Sequence, residues 1–303
     1  MGRVAFVVGG FGFLGRRLVD RLLRDGWRVG VVDPAAPHAG DVAAGGPGSG
    51  VVAVRSTVDA AAVAELRRAL GPPSRVFQLG GSGSVGAAER DPALDRRSTV
   101  DGTAALIEAI HDLPEARLVL VSSAAVYGEG AAGPLAEDRA RAPISVYGRH
   151  KAVAEDLAAA RPNHAIVRLF SLYGPTLRKQ LLWDACHKLR GDRAAFAGSG
   201  TERRDWVHVD DAVDLLERAA ASAAPALLVK GGTGNGTPVA RVGELQRATL
   251  GGPVPTFSGQ ARAGDPHDLI ADPGRARGLG WSPTVTVEEG IVAYARWFEA
   301  QAC

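Results

Sequence analysis

Four glycines in seven residues, Gly9-Gly10-Phe11-Gly12-Phe13-Leu14-Gly15, separate an apolar run from a segment with leucines at helical spacing. The apolar run, Arg3 to Gly10, reads as a buried strand. The segment from Phe13 to Asp25 carries Leu14, Leu18, Leu22 and Leu23 on one helical face. A strand that passes through so tight a turn directly into a helix constrains everything after it. The alternation continues: strands are predicted over 27–33, 51–55, 75–79, 117–122 and 165–170. Helices are predicted over 59–70 and 92–112, with another around Tyr147 and Lys151. Such a chain builds a parallel sheet with helices on both faces, an α/β fold. The stretch 38–50 is rich in Gly, Ala and Pro and reads as an exposed loop.

The second half is less regular. Helices are predicted over 177–189, 210–222, 242–250 and 287–300, joined by Gly/Pro-rich connections. This suggests a division at 1–172 and 173–303, with the smaller second lobe interleaved with late elements of the first.

Size and charge narrow the possibilities. The 303 residues are 46% hydrophobic and 22% charged, an ordinary globular composition. A net charge of +2 supplies no electrostatic case for a nucleic-acid or membrane partner. No segment offers ~18 uninterrupted apolar residues, so no membrane span is expected. The N-terminal apolar run is too short for a signal peptide and flows straight into the glycine turn. The two cysteines, Cys186 and Cys303, have no partner at metal-ligand spacing, and a reducing cytoplasm is the expected setting.

Two glycine patterns nest in the turn: Gly9, Gly12, Gly15 and Gly10, Gly12, Gly15. A tight turn, close approach of backbone to pyrophosphate and close helix–strand packing each demand a missing side chain. The pyrophosphate would lie against the helix N-terminus, where free N–H groups and the dipole favour anions. Asp33, at the end of the second strand, would accept hydrogen bonds from an adenosine ribose and repel a 2′-phosphate. That favours NAD over NADP. The competing readings are a glycine turn that only packs, and Asp33 as a turn residue before Pro34.

Tyr147 and Lys151 stand four residues apart, so a helix puts the phenol and the ammonium on one face. A nearby cation stabilises phenolate over phenol and is expected to lower the tyrosine's pKa. Such a tyrosine can take a proton from a sugar hydroxyl or return one to a ketone. Lysine is scarce in this chain, occurring at 151, 179, 188 and 230 alone, which makes Lys151 more telling.

With these pieces the chain resembles the extended short-chain dehydrogenase/reductases, in particular the NAD-dependent epimerase/dehydratase family of nucleotide sugars. The anchors are Gly9 to Gly15, Val121-Ser122-Ser123-Ala124-Ala125-Val126-Tyr127-Gly128, Tyr147 with Lys151, Arg168-Leu169-Phe170-Ser171-Leu172-Tyr173-Gly174-Pro175, and Arg204-Asp205-Trp206-Val207-His208-Val209-Asp210-Asp211. The resemblance implies a Rossmann-type doubly wound sheet with a smaller C-terminal substrate lobe. It implies Ser123, Tyr147 and Lys151 as the catalytic set. It also implies NAD contacts from Gly9, Gly12, Phe13, Leu14, Gly15, Asp33, Asp59, Leu79, Gly80, Gly81 and Ser122, together with Tyr147 and Lys151. Ser84, Ser123, Ser171, Arg204 and Arg262 would bind the substrate, the two arginines holding its diphosphate through bidentate forks. A surface ion pair is the alternative for each arginine. A homodimer formed through the helices 92–112 and 147–161 is implied as well.

The chain departs from the common family pattern at three places: Gln78-Leu79-Gly80-Gly81, Thr99 and Ser171. These bear on sugar recognition rather than on the cofactor. Ala124-Ala125 occupies the position where dehydrating members carry an Asp-Glu pair, which disfavours elimination of water. The resulting expectation is an NAD-dependent nucleotide-sugar epimerase acting at C4 through a transient 4-keto sugar. The alternatives are an NAD(P)H-dependent 4-ketoreductase of a deoxysugar and a non-catalytic dinucleotide-binding protein.

Overall fold

The computed structural model describes residues 3–35, 51–129, 133–260 and 266–301. The predicted loop 38–50, Arg262 and Cys303 lie outside the described residues. Contacts group the chain into two units. The first comprises 1–126, 145–168 and 213–229, and the second 127–144, 169–212 and 230–303.

In the first unit β1 (Val4–Val8) leads through the glycine turn to α1 (Phe13–Arg24), then to β2 (Arg28–Val32) and β3 (Val51–Val54). There follow α2 (Ala60–Leu70), β4 (Arg75–Gln78), α3 (Val85–Arg90), α4 (Pro92–Arg96), a π-helical turn (Arg97–Asp101) and α5 (Gly102–Ala109). β5 (Arg117–Ser123), α6 (Val146–Ala159) and β6 (His164–Leu169) complete the run. The main sheet has seven strands, the seventh being β10, introduced below; its order is β10-β6-β5-β4-β1-β2-β3. The pairs β1–β2, β1–β4, β2–β3 and β4–β5 are parallel, as the alternating sequence predicts.

Strand pleating explains how both faces are covered. Val4, Phe6 and Val8 of β1 join Leu118, Leu120 and Ile166 in one core with Leu66 of α2, Leu106 of α5 and Ala154 and Ala158 of α6. Ala5, Val7, Val29 and Val31 point the other way and are also fully buried, as are Leu18 and Leu22 of α1. Bare backbone lets α1 approach: a Cβ on Gly10 would come within 2.6 Å of Val31 Cγ1.

The helix predicted over 92–112 is broken. Pro92 starts α4 after Asp91 caps it, accepting from Leu94 N–H at 2.8 Å. The widened turn then follows, tied by Thr103 Oγ1 donating to Thr99 O at 2.6 Å. α3 was not predicted at all; it runs only six residues and Ser84 caps it, accepting from Ala87 N–H at 3.2 Å.

The second unit starts from β7 (Ser171–Tyr173), α7 (Gln180–Leu189), β8 (Ala195–Phe196) and β9 (Arg203–His208). α8 (Val209–Ala221) and β10 (Ala226–Gly231) lie where the chain returns to the first unit. β11 (Gly236–Pro238), α9 (Val239–Leu250), β12 (Thr256–Phe257), β13 (Asp268–Leu269), α10 (Gly274–Gly278) and α11 (Val287–Ala300) follow. A small sheet forms around β9, with β7 and β13 parallel to it and β11 antiparallel. Sequence reading assigned helices here and missed these strands. Asp205 of β9 knits the unit together: its carboxylate, wholly buried, accepts from the N–H groups of Thr233, Gly234 and Ala271 and from the Thr233 hydroxyl. Among the described residues no helix is long and apolar enough to cross a membrane.

Candidate active site

The glycine turn sits at the carboxyl edge of the sheet. Gly9 takes φ of +79°, a conformation open to glycine. A Cβ on Gly15 would collide with the carbonyl oxygen of Gly9. Gly12 caps α1 without any side-chain hydrogen bond, so the first-turn N–H groups are left to a ligand. Phe13 and Leu14 open the helix. Asp33 is almost buried and accepts from Phe11 N–H at 2.9 Å and Ala35 N–H at 2.8 Å. Its carboxylate thus hangs over the same turn that offers the N–H groups. Leu79 N–H donates to Val8 O, and Gly80 and Gly81 follow β4 on the neighbouring strand end. A bare cradle, an uncapped helix terminus and a carboxylate suited to ribose hydroxyls fit a dinucleotide. Asp59 caps α2, accepting from Ala62 N–H at 2.8 Å.

β5 and α6 bring the second group together. Ser145 caps α6 by accepting from Gly148 N–H at 3.0 Å, which fixes the first turn that carries Tyr147. Tyr147 and Lys151 follow on one face, both almost fully buried. Lys151 Nζ lies 5.8 Å from the Tyr147 ring centroid and donates to Val121 O at 2.9 Å. Ser123, at the end of β5, lies beside the Tyr147 phenol and pulls its pKa down. Tyr147 and Lys151, paired by their spacing, and Ser123, implied by the resemblance, therefore meet in space. Ser122 does something different: its hydroxyl donates to Glu155 Oε1 at 2.5 Å, and Glu155 is gripped by Arg168 at 2.6 and 2.9 Å.

One electrostatic expectation is overturned. The phenol of Tyr147 is not lowered within the protein; burial pushes it up to about 12, with Ser123 working the other way and Asp95 adding to the rise. Burial likewise brings Lys151 down to about 8, opposed by Asp95 and then Glu155. Desolvation is the largest influence on both groups because both are cut off from water.

Sequence reading missed a cluster beside this pair. Asp95 is wholly buried. It accepts from Ser82 Oγ at 2.5 Å, Thr99 Oγ1 at 3.3 Å and His150 Nδ1 at 2.6 Å. The one local signal was His150, next to Lys151.

In the second unit Ser171 begins β7. Arg204 on β9 is nearly buried and donates through Nη1 to the carbonyls of Arg203 and His267. Trp206 and His208 both pack against Tyr173 in T-shaped contacts. Cys186 is buried, accepts from Gln246 Nε2, and its thiol is pushed up to about 12 by burial.

Residues 5–227 match the model of the NAD dependent epimerase/dehydratase family, and the chain belongs to that family. It is 30% identical to UDP-glucose 4-epimerase of Mycolicibacterium smegmatis, over 96% of this chain and 97% of the relative. Two solved structures are similar throughout. UDP-glucose 4-epimerase with UDP-glucose from Thermotoga maritima superposes with a TM-score of 0.87 at 26% identity, covering 99% of this chain and all of the other. MoeE5 in complex with UDP-glucuronic acid and NAD superposes with a TM-score of 0.85 at 29% identity, covering 98% of this chain and 99% of the other.

Proposed function

We propose that this chain is an NAD-dependent nucleotide-sugar 4-epimerase. The observation that carries the proposal is the meeting of Ser123, Tyr147 and Lys151 at the end of β5, in the same unit as the glycine cradle and Asp33. The named relatives, UDP-sugar 4-epimerases along nearly the full length, support the same reaction.

Gly9, Gly12, Phe13, Leu14 and Gly15 would receive the pyrophosphate, and Asp33 the adenosine ribose. Asp59, Leu79, Gly80, Gly81 and Ser122 would complete the cofactor's surroundings. When bound, NAD⁺ supplies an acceptor that takes hydride from C4 and gives it back, and a positive charge that favours the tyrosinate. Tyr147 removes the proton of the 4-hydroxyl and later returns it. Ser123 steadies the same oxygen, and Lys151 supplies the cation under the phenol. The 4-keto sugar must turn over between the two transfers, so the enzyme has to hold the nucleotide firmly and the sugar loosely. Arg204 and Arg262 are assigned to the diphosphate, and Ser84 and Ser171 to the sugar. Ala124-Ala125 offers no carboxylate pair for dehydration.

A cytoplasmic homodimer fits this reading. Leu94 on α4 and Val153 on α6 are apolar and exposed, at 52% and 41%, on the helices assigned to the contact.

Tyr147→Phe tests the assignment. Turnover of UDP-glucose and UDP-galactose should fall by about 10³-fold, while NAD recovered from the denatured protein stays at the wild-type level. Near-normal turnover by the phenylalanine variant would remove the mechanism.

A further inference from the structure

Two carboxylates reach Lys151, and they are not equivalent. Glu155 is spent: Arg168 holds both its oxygens and the Ser122 hydroxyl donates to one of them. Among the described residues Asp95 has no such guanidinium. Its partners are two hydroxyls and an imidazole, from Ser82, Thr99 and His150. Gly81 marks how close this cluster lies to the lysine: a Cβ built there would be 2.7 Å from Thr99 Oγ1 and 3.5 Å from Lys151 Nζ. Thr99 therefore touches Asp95 on one side and the ground next to the ammonium on the other.

We propose that Asp95, held by Ser82, Thr99 and His150, is a positioning residue: a buried negative charge whose field keeps Lys151 an ammonium ion beside Tyr147. A neutral amide of the same shape keeps the acceptor that faces Ser82 and Thr99 and turns the other from acceptor to donor, toward His150. Only the carboxylate adds a charge, and in a low-dielectric interior that charge reaches its neighbours with little screening. Its field opposes the desolvation of Lys151 more than that of Glu155 does, and it disfavours the tyrosinate as well. Thr99, in the π-helical turn and four residues after Asp95, donates to the same carboxylate. The reaction gives back to the sugar the proton it took, so no proton path to water is required of the cluster. Its part is charge alone.

The other charged groups on the elements packed against α6 are accounted for. On β5 the buried Arg117 donates to Asn163 Oδ1 and to the carbonyls of Ala219, Ala224 and Pro225. Glu89 of α3 accepts from Val146 N–H at 2.8 Å. Arg90, Arg96, Arg97, Asp101 and Glu108 are exposed, where water screens them.

This inference rests on Tyr147 and Lys151 being the acid–base pair. Its test is the pH profile of kcat/KM for UDP-glucose with the purified holoenzyme. Asp95→Asn should keep its NAD and shift both limbs of the profile to lower pH by about one unit, since both groups lose the same negative neighbour. A merely structural role would lower the rate or the melting temperature and leave the limbs in place. Should Asp95→Asn not fold, Asp95→Ser, which leaves room for a water between Ser82 and His150, carries the same expectation. Limbs superimposed on the wild type would overturn the role of Asp95. If Tyr147→Phe is inactive at the same time, the acid–base reading itself still stands.

Discussion

Burial acts on Tyr147 and Lys151 of α6 in opposite directions, and the consequences can be measured. Lys151 sits at about 8, below the 10.5 of an unburied lysine. Below about pH 8 the side chain is charged in both the folded and the unfolded chain, and the fold bears the desolvation. Between about 8 and 10.5 the unfolded chain binds more protons, so stability rises with pH across that window. Lys151→Met removes the buried charge. It should abolish epimerisation yet stabilise the fold at pH 7 by about 2 kcal/mol, less than the roughly 3 that the shift alone implies because the bond to Val121 O is lost. The gain should vanish near about pH 9.5 and become a loss of about 1 kcal/mol by about pH 10.5, as followed by urea unfolding at several pH values. Ser123, Tyr147 and Lys151 were legible in the sequence because each belongs to a short, local pattern. Asp95 was not, since His150 lies 55 residues from it and only the packing of α4 on α6 joins them.

At the scale of the element, the glycine turn was the most legible feature, because its requirements are steric and confined to seven residues. Gly15→Ala would drive a methyl group into the Gly9 carbonyl, which is backbone and cannot step aside. The variant should lose its NAD and about 1–3 kcal/mol of stability, read as lower nicotinamide content and a reduced melting temperature. The broken helix was harder to see. Leu106, Ile107 and Ile110 keep helical spacing on its C-terminal side, and periodicity does not register a turn widened by one residue. The strands of the second unit were missed for another reason. Arg203-Arg204-Asp205-Trp206 is charged yet buried from Arg204 onward, so β9 shows neither apolar continuity nor alternation. Its charges are satisfied by partners far along the chain, Asp205 by residues 233, 234 and 271.

For the molecule as a whole, the chain passes back and forth between two units, and the alternating strand–helix pattern identified the first far better than the second. The proposed dimer is open to direct test. Wild-type protein should run as a dimer by light scattering, and Leu94→Glu combined with Val153→Glu should run as a folded monomer. A monomeric wild type would refute the contact. The central claim, that one bound dinucleotide removes a hydride from C4 and returns it to the same carbon, is tested most directly with UDP-glucose deuterated at C4 and no added cofactor. The account predicts UDP-galactose that keeps its deuterium at C4. Loss of the label to water, or conversion only when NADH is supplied and consumed, would contradict it.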